Sequence, residues 1–125
     1  MEKLITIKVQ VCSAYDMLSI LEGKQINTSD PVVWEELERQ FHELYGQIII
    51  SLGRKLALKI LKSKEYQQLF QSNLKIAALI QECESNPDLH YLKVSNEVMN
   101  RHFHKKAIQK KFMGDEFKEI KTIKR

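Results

Sequence analysis

The sequence predicts a mainly α, four-helix bundle-like domain around one long central helix, with a minor two-stranded β element from the two chain ends. Three observations carry that expectation. Glycine (4) and proline (2) are scarce in 125 residues while charged residues reach 29%, a balance that disfavours barrels and sandwiches with their many turns. Apolar residues recur at steps of three and four over long stretches, the period of a helix face. Strand-like alternation is confined to the opening residues. A chain of this length forms one domain, 1–125, and buries roughly two thirds of its unfolded surface.

From Leu4 to Val11 the residues alternate. Ile5, Ile7, Val9 and Val11 point one way, and Leu4, Thr6, Lys8 and Gln10 the other, as in a half-buried strand. Ser13-Ala14-Tyr15-Asp16 places an acid three residues after a Ser, a variant of the capping box, so a helix is expected there, carrying Met17, Leu18, Ile20 and Leu21 inward and stopping at Gly23. Asp16-Met17-Leu18-Ser19-Ile20-Leu21 after an alternating strand, with Glu119-Ile120-Lys121-Thr122 near the close, resembles a family of small, functionally uncharacterised bacterial and viral proteins. That family opens with Asp-Lys-(Ile/Leu)-Thr-Ile-Leu and closes with Glu-(Glu/Val)-Lys-Ser. Met17 stands where the family has Lys. The resemblance implies no activity, and it marks Asp16 and Lys121 as a pair to examine together.

Asn27-Thr28-Ser29-Asp30-Pro31 is a loop that ends in a helix start. Ser29 or Asp30 is the cap, and Pro31 suits the first turn. The central helix then runs from Pro31 to Leu61, about 46 Å at roughly 1.5 Å per residue if unbroken. Trp34, Leu37, Phe41, Leu44, Ile48, Leu52, Leu56 and Ile60 share one face, and Gly46, Ile50, Gly53, Ala57 and Leu61 share another. A helix apolar on two sides is expected between neighbours. Interior glycines cost about 1 kcal/mol each against Ala. Either one of them breaks the helix, or Gly46, Gly53 and Ala57 form a shallow groove for close helix contact.

Ser63 is the expected cap of a third helix reaching about Glu84, with Tyr66, Leu69, Phe70, Ile76, Ala77, Leu79, Ile80 and Cys83 as its apolar stripe. Asn86-Pro87 interrupts it. A fourth helix follows from Pro87 or Asp88 to about Met113, with Leu92, Met99, Phe103 and Ala107 inward, and Gly114 ends it. Phe117, Ile120 and Ile123 make the tail too apolar to be solvated, so the segment from Phe117 to Ile123 is expected to pair with the opening strand.

Chemistry-bearing motifs are few. His102 and His104 lie two apart and do not share a helix face, so a metal site is not expected, and His42 and His90 are isolated. No cofactor loop and no catalytic nucleophile–base spacing occurs. Glu35, Glu36, Glu38 and Glu43 at a helix start read as a solvated face, with a carboxylate pair for acid–base work as the alternative. Cys12 and Cys83 read as reduced thiols of a cytoplasmic protein, and the opening, with an acid at position 2 and no cleavage region, is unlike a signal peptide. No apolar run approaches a membrane span.

The charge is uneven. From Arg101 to Arg125 nine Lys or Arg face three Asp or Glu, a balance of +6, against −2 for the remainder, which has 11 and 13. Lys55, Lys59 and Lys62 form one stripe, and Arg101, Lys105, Lys106, Lys110 and Lys111 decorate the last helix. The leading expectation is a helical interaction or homo-oligomerisation module whose partner is itself or another protein. The alternatives are nucleic-acid binding through the basic C-terminal helix, without a recognition motif to support it, and an enzyme or ligand-binding protein with a site near Asp16 and Lys121.

Overall fold

The computed structural model describes residues 5–85, 87–114 and 119–124. The chain is mainly α. Strand β1 (Ile5–Gln10) leads into α1 (Val11–Asn27), α2 (Pro31–Leu52), α3 (Arg54–Leu61), α4 (Lys64–Ser85) and α5 (Pro87–Ile108). A π-turn over Gln109–Met113 prolongs α5, and β2 (Glu119–Lys124) follows. The two strands pair antiparallel, Ile5 opposite Lys124 through Gln10 opposite Glu119. Phe117 lies outside the described residues.

The Pro31–Leu61 stretch breaks at Gly53, which has φ of +84° and ψ of 155°, a region essentially reserved for glycine. Its N–H still reaches the Ile49 carbonyl at 2.7 Å, so α2 closes before the chain turns into α3. Asp30 caps α2 by accepting from the Val32 N–H at 2.9 Å. Ser63 Oγ accepts from the Tyr66 N–H at 3.2 Å and starts α4.

The most enclosed element is α1, which packs against α2, α4, α5 and both strands. Val11, Ala14, Tyr15 and Leu18 are wholly buried with Ile48, Ile60, Leu69 and Ile108. Fully burying such apolar side chains contributes about 1.5–3 kcal/mol each. The Tyr15 and Tyr66 rings meet edge to face, with centroids 5.9 Å apart.

Three expectations are corrected here. Helix α1 starts at Val11, without a Ser13 cap, because the Gln109 side chain accepts from the Cys12 N–H at 3.4 Å. It also runs past Gly23, which is buried and would place a Cβ 3.3 Å from Leu74 Cδ2 on α4. The close-approach glycine is therefore Gly23, not the Gly46–Gly53–Ala57 groove. Among the described residues nothing lies within 4 Å of a Cβ built on Gly46 or Gly53, whereas Ala57 is buried. On the second side of the central stretch Ile50 is 77% exposed, and Trp34 on the first side is 44% exposed.

The three glycines should respond differently in urea unfolding. Gly46→Ala gains up to about 1 kcal/mol from helix propensity in open space. Gly53→Ala loses about 1–3 kcal/mol from its backbone conformation. Gly23→Leu loses about 1–3 kcal/mol by overpacking against α4.

Candidate functional site: the two faces of α5

Helix α5 turns Glu97, Arg101, His104 and Lys105 toward the bundle. Ser72 Oγ on α4 donates to Glu97 Oε1 at 2.5 Å, and Lys75 Nζ lies 3.5 Å from Glu97 Oε2. About two turns along, Lys105 Nζ approaches Asp16 Oδ2 of α1 at 3.8 Å. Asn73 Nδ2 donates to Asp16 Oδ1 at 2.9 Å and to Ser19 Oγ at 2.6 Å, and the Ser19 hydroxyl donates to the Asp16 carbonyl at 2.7 Å. At the π-turn Lys111 Nζ reaches Glu65 Oε1 at 2.8 Å. A polar seam thus runs from Glu97 to Lys111 where α5 and the π-turn meet α1 and α4. Asp16, Ser19, Glu65, Ser72, Asn73 and Glu97 are all buried.

The electrostatics agree with anchoring. The Lys111 hydrogen bond holds the Glu65 carboxyl below its ordinary range. Burial works to raise Glu97, but hydrogen bonds from Ser72 and Asn100 and the Lys75 charge outweigh it, so its pKa is also lowered. Burial pushes the Tyr15 and Tyr66 phenols up, which keeps them neutral donors to the Ala57 carbonyl (2.9 Å) and Glu22 (2.8 Å). A carboxylate with a depressed pKa is a weak general base, so the Ser72–Glu97 pair has no feature of an activated nucleophile. A depression of about 420 Å³ between α4 and α5 has Lys64, Gln68, Ser72, Lys75, Glu97 and His104 among its walls. Glu65 Oε2, Arg101 Nε and His104 Nδ1 are buried with no hydrogen-bond partner among the described residues.

The expected pairing of Asp16 with Lys121 falls on a side chain outside the described residues. Asp16 is held by Asn73 and Lys105 inside the bundle, while Lys121 occupies the register position opposite Lys8 in the ribbon, and its side chain lies outside the described set. The basic set on α5 splits as well. Lys105 and Lys111 serve internal carboxylates and Arg101 is half-buried, while Lys106 and Lys110 are exposed. Lys55, Lys59 and Lys62 remain exposed at α3. Glu36 and Glu43 bracket Arg39 at 2.5 and 2.8 Å, and Glu38 binds His42 at 2.7 Å, the solvated face expected of them. Cys12 is buried and in no disulfide among the described residues; the side chain of Cys83 lies outside the described set. Among the described residues no His, Cys, Asp or Glu group is arranged to hold a metal, and no helix is long and apolar enough to cross a membrane.

The outer face of α5 is the reverse of the expected one. Leu92, Met99 and Phe103 are 74%, 68% and 70% exposed. They share one stripe at helical spacing, and Ala107 is only half-buried, while Ile108 and Met113 supply the buried apolar contacts. The inversion has a physical cause. Glu97, Lys105 and Lys111 must face Ser72, Asp16 and Glu65, and a helix that turns those residues inward turns Leu92, Met99 and Phe103 outward. Sequence reasoning missed it because the partners lie on other helices. The signal available was the coincidence of buried-position acids, Asp16 and Glu65, with lysines late in the chain. No family model, curated protein or solved structure matches the chain.

Two measurements probe the seam. Asn73→Leu leaves Asp16 Oδ1 and Ser19 Oγ without their donor and should lower unfolding stability by about 1–3 kcal/mol. Glu65 and Glu97 ionise more readily folded than unfolded, so each stabilises above the unfolded glutamate pKa of about 4.3. That contribution is lost as pH falls through the lower folded values. The melting temperature should therefore drop as the protein is acidified below about pH 4.3, and the drop should be smaller in Glu97→Gln.

Proposed function

We propose that this chain is a helical interaction module that self-associates through apolar helix surface on its exterior. The observation that carries the reading is the Leu92–Met99–Phe103 stripe, three large apolar side chains on one face of α5, each more than two thirds exposed. Single exposed apolar residues are ordinary, whereas an aligned group rimmed by polar residues marks an interaction surface. The central stretch contributes further exposed apolar residues, Val32, Trp34 and Ile50. The polar seam supports the same reading, because it fixes α5 in the orientation that presents the stripe.

Sedimentation velocity at micromolar concentration should show dimers or larger species. Phe103→Asp should shift the protein to monomer without lowering its melting temperature, because that side chain is 70% exposed in the subunit. A wild-type protein that sediments only as monomer overturns the reading.

A further inference from the structure

The stripe carries a charge signature that selects its occupant. Lys93, Lys106 and Lys110 flank it on the exposed side of α5, and among the described residues none has an acidic partner. Two copies meeting α5 to α5 would bring these lysines together as the stripes closed, and desolvation strengthens such repulsion. A second apolar cluster on this chain has the opposite sign. At the turn between α1 and α2, Ile26, Val32, Val33 and Trp34 are exposed by 63%, 74%, 43% and 44%. From Gln25 to Glu38 the sequence holds Asp30, Glu35, Glu36 and Glu38 and no Lys or Arg. Glu36 is matched by Arg39 and Glu38 by His42, while Asp30 and Glu35 remain exposed acids beside the apolar tip.

We propose that the α5 stripe docks the acidic, apolar α1–α2 tip of a second copy of this chain. The proposal rests on the self-association reading and names its partner surface. Trp34 and Val32 would cover Met99 and Phe103, with Asp30 and Glu35 against the lysine rim. Such a contact joins two different surfaces, so it either closes through a two-fold axis that repeats it twice or propagates head to tail.

Two variants test it together. Phe103→Asp spoils the stripe, and the double substitution Val32→Ser with Glu35→Lys spoils the tip. Both change exposed side chains, and circular dichroism melts establish that each is folded. Each variant alone should associate at least about tenfold more weakly than the parent. An equimolar mixture should form a heterodimer, because an intact stripe on one chain meets an intact tip on the other. Parent association should also weaken as salt is raised, because opposite charges are screened.

If the tip variant associates like the parent, the mixture gains nothing and salt strengthens association, α5 meets its own kind. That result overturns this proposal and leaves the self-association reading standing. A parent that stays monomeric overturns both. A monomeric parent that instead binds a random oligonucleotide with salt-dependent affinity replaces both with a nucleic-acid surface.

Discussion

A helix enclosed on several sides must find a partner for every polar group it carries. Helix α1 is in that position, and its partners come from almost everywhere else in the chain. The Tyr15 hydroxyl takes a carbonyl of α3, Asp16 takes an amide of α4 and a lysine of α5, and the Cys12 N–H takes a side chain of the π-turn. Apolar contact tolerates rotation and sliding, whereas these bonds have directions. Fully satisfied, such a network specifies one arrangement of its helices; partly satisfied, it costs more than an apolar core would.

The orientation of α5 follows from this. Removing one partner of a buried ion pair costs about 3–5 kcal/mol in other proteins. Exposing an apolar side chain forfeits about 1.5–3 kcal/mol. Turning α5 over would strand Asp16 and Glu65 while covering Leu92, Met99 and Phe103, so the two faces compete for the interior. A partner seated on the stripe removes the conflict, since the seam stays satisfied and the apolar residues leave water.

Local signals were readable in the sequence wherever a single segment decides the outcome. The Asp30-Pro31 start of α2, the Ser63 start of α4, the start of α5 at Pro87 and the Gly114 stop all depend on residues within one turn. The alternation of Ile5, Ile7 and Val9 and the apolar tail located the ribbon. What was not readable depends on residues far apart. Gly23 looks like a stop until Leu74 lies over it. Gly46 and Gly53 look like a groove, but among the described residues nothing lies within 4 Å of a Cβ on either, and Gly53 serves the bend. The periodicity of α5 shows which residues share a face and cannot say which face is inside, because charges on α1 and α4 decide that.

The ribbon has a consequence for how the chain is made. Its strands pair residues separated by nearly the whole described length, so no part of it can form locally. The α4–α5 hairpin, by contrast, joins neighbours in sequence and can assemble early. During synthesis Ile5–Gln10 leaves the ribosome before residues 119–124 and waits, as an unpaired and partly apolar strand, until they have followed. Throughout that interval the N-terminal segment is open to pairing with another chain. Slow translation of the last helix would lengthen the exposure, so holding the nascent chain by a chaperone should matter more for this protein than its small size suggests.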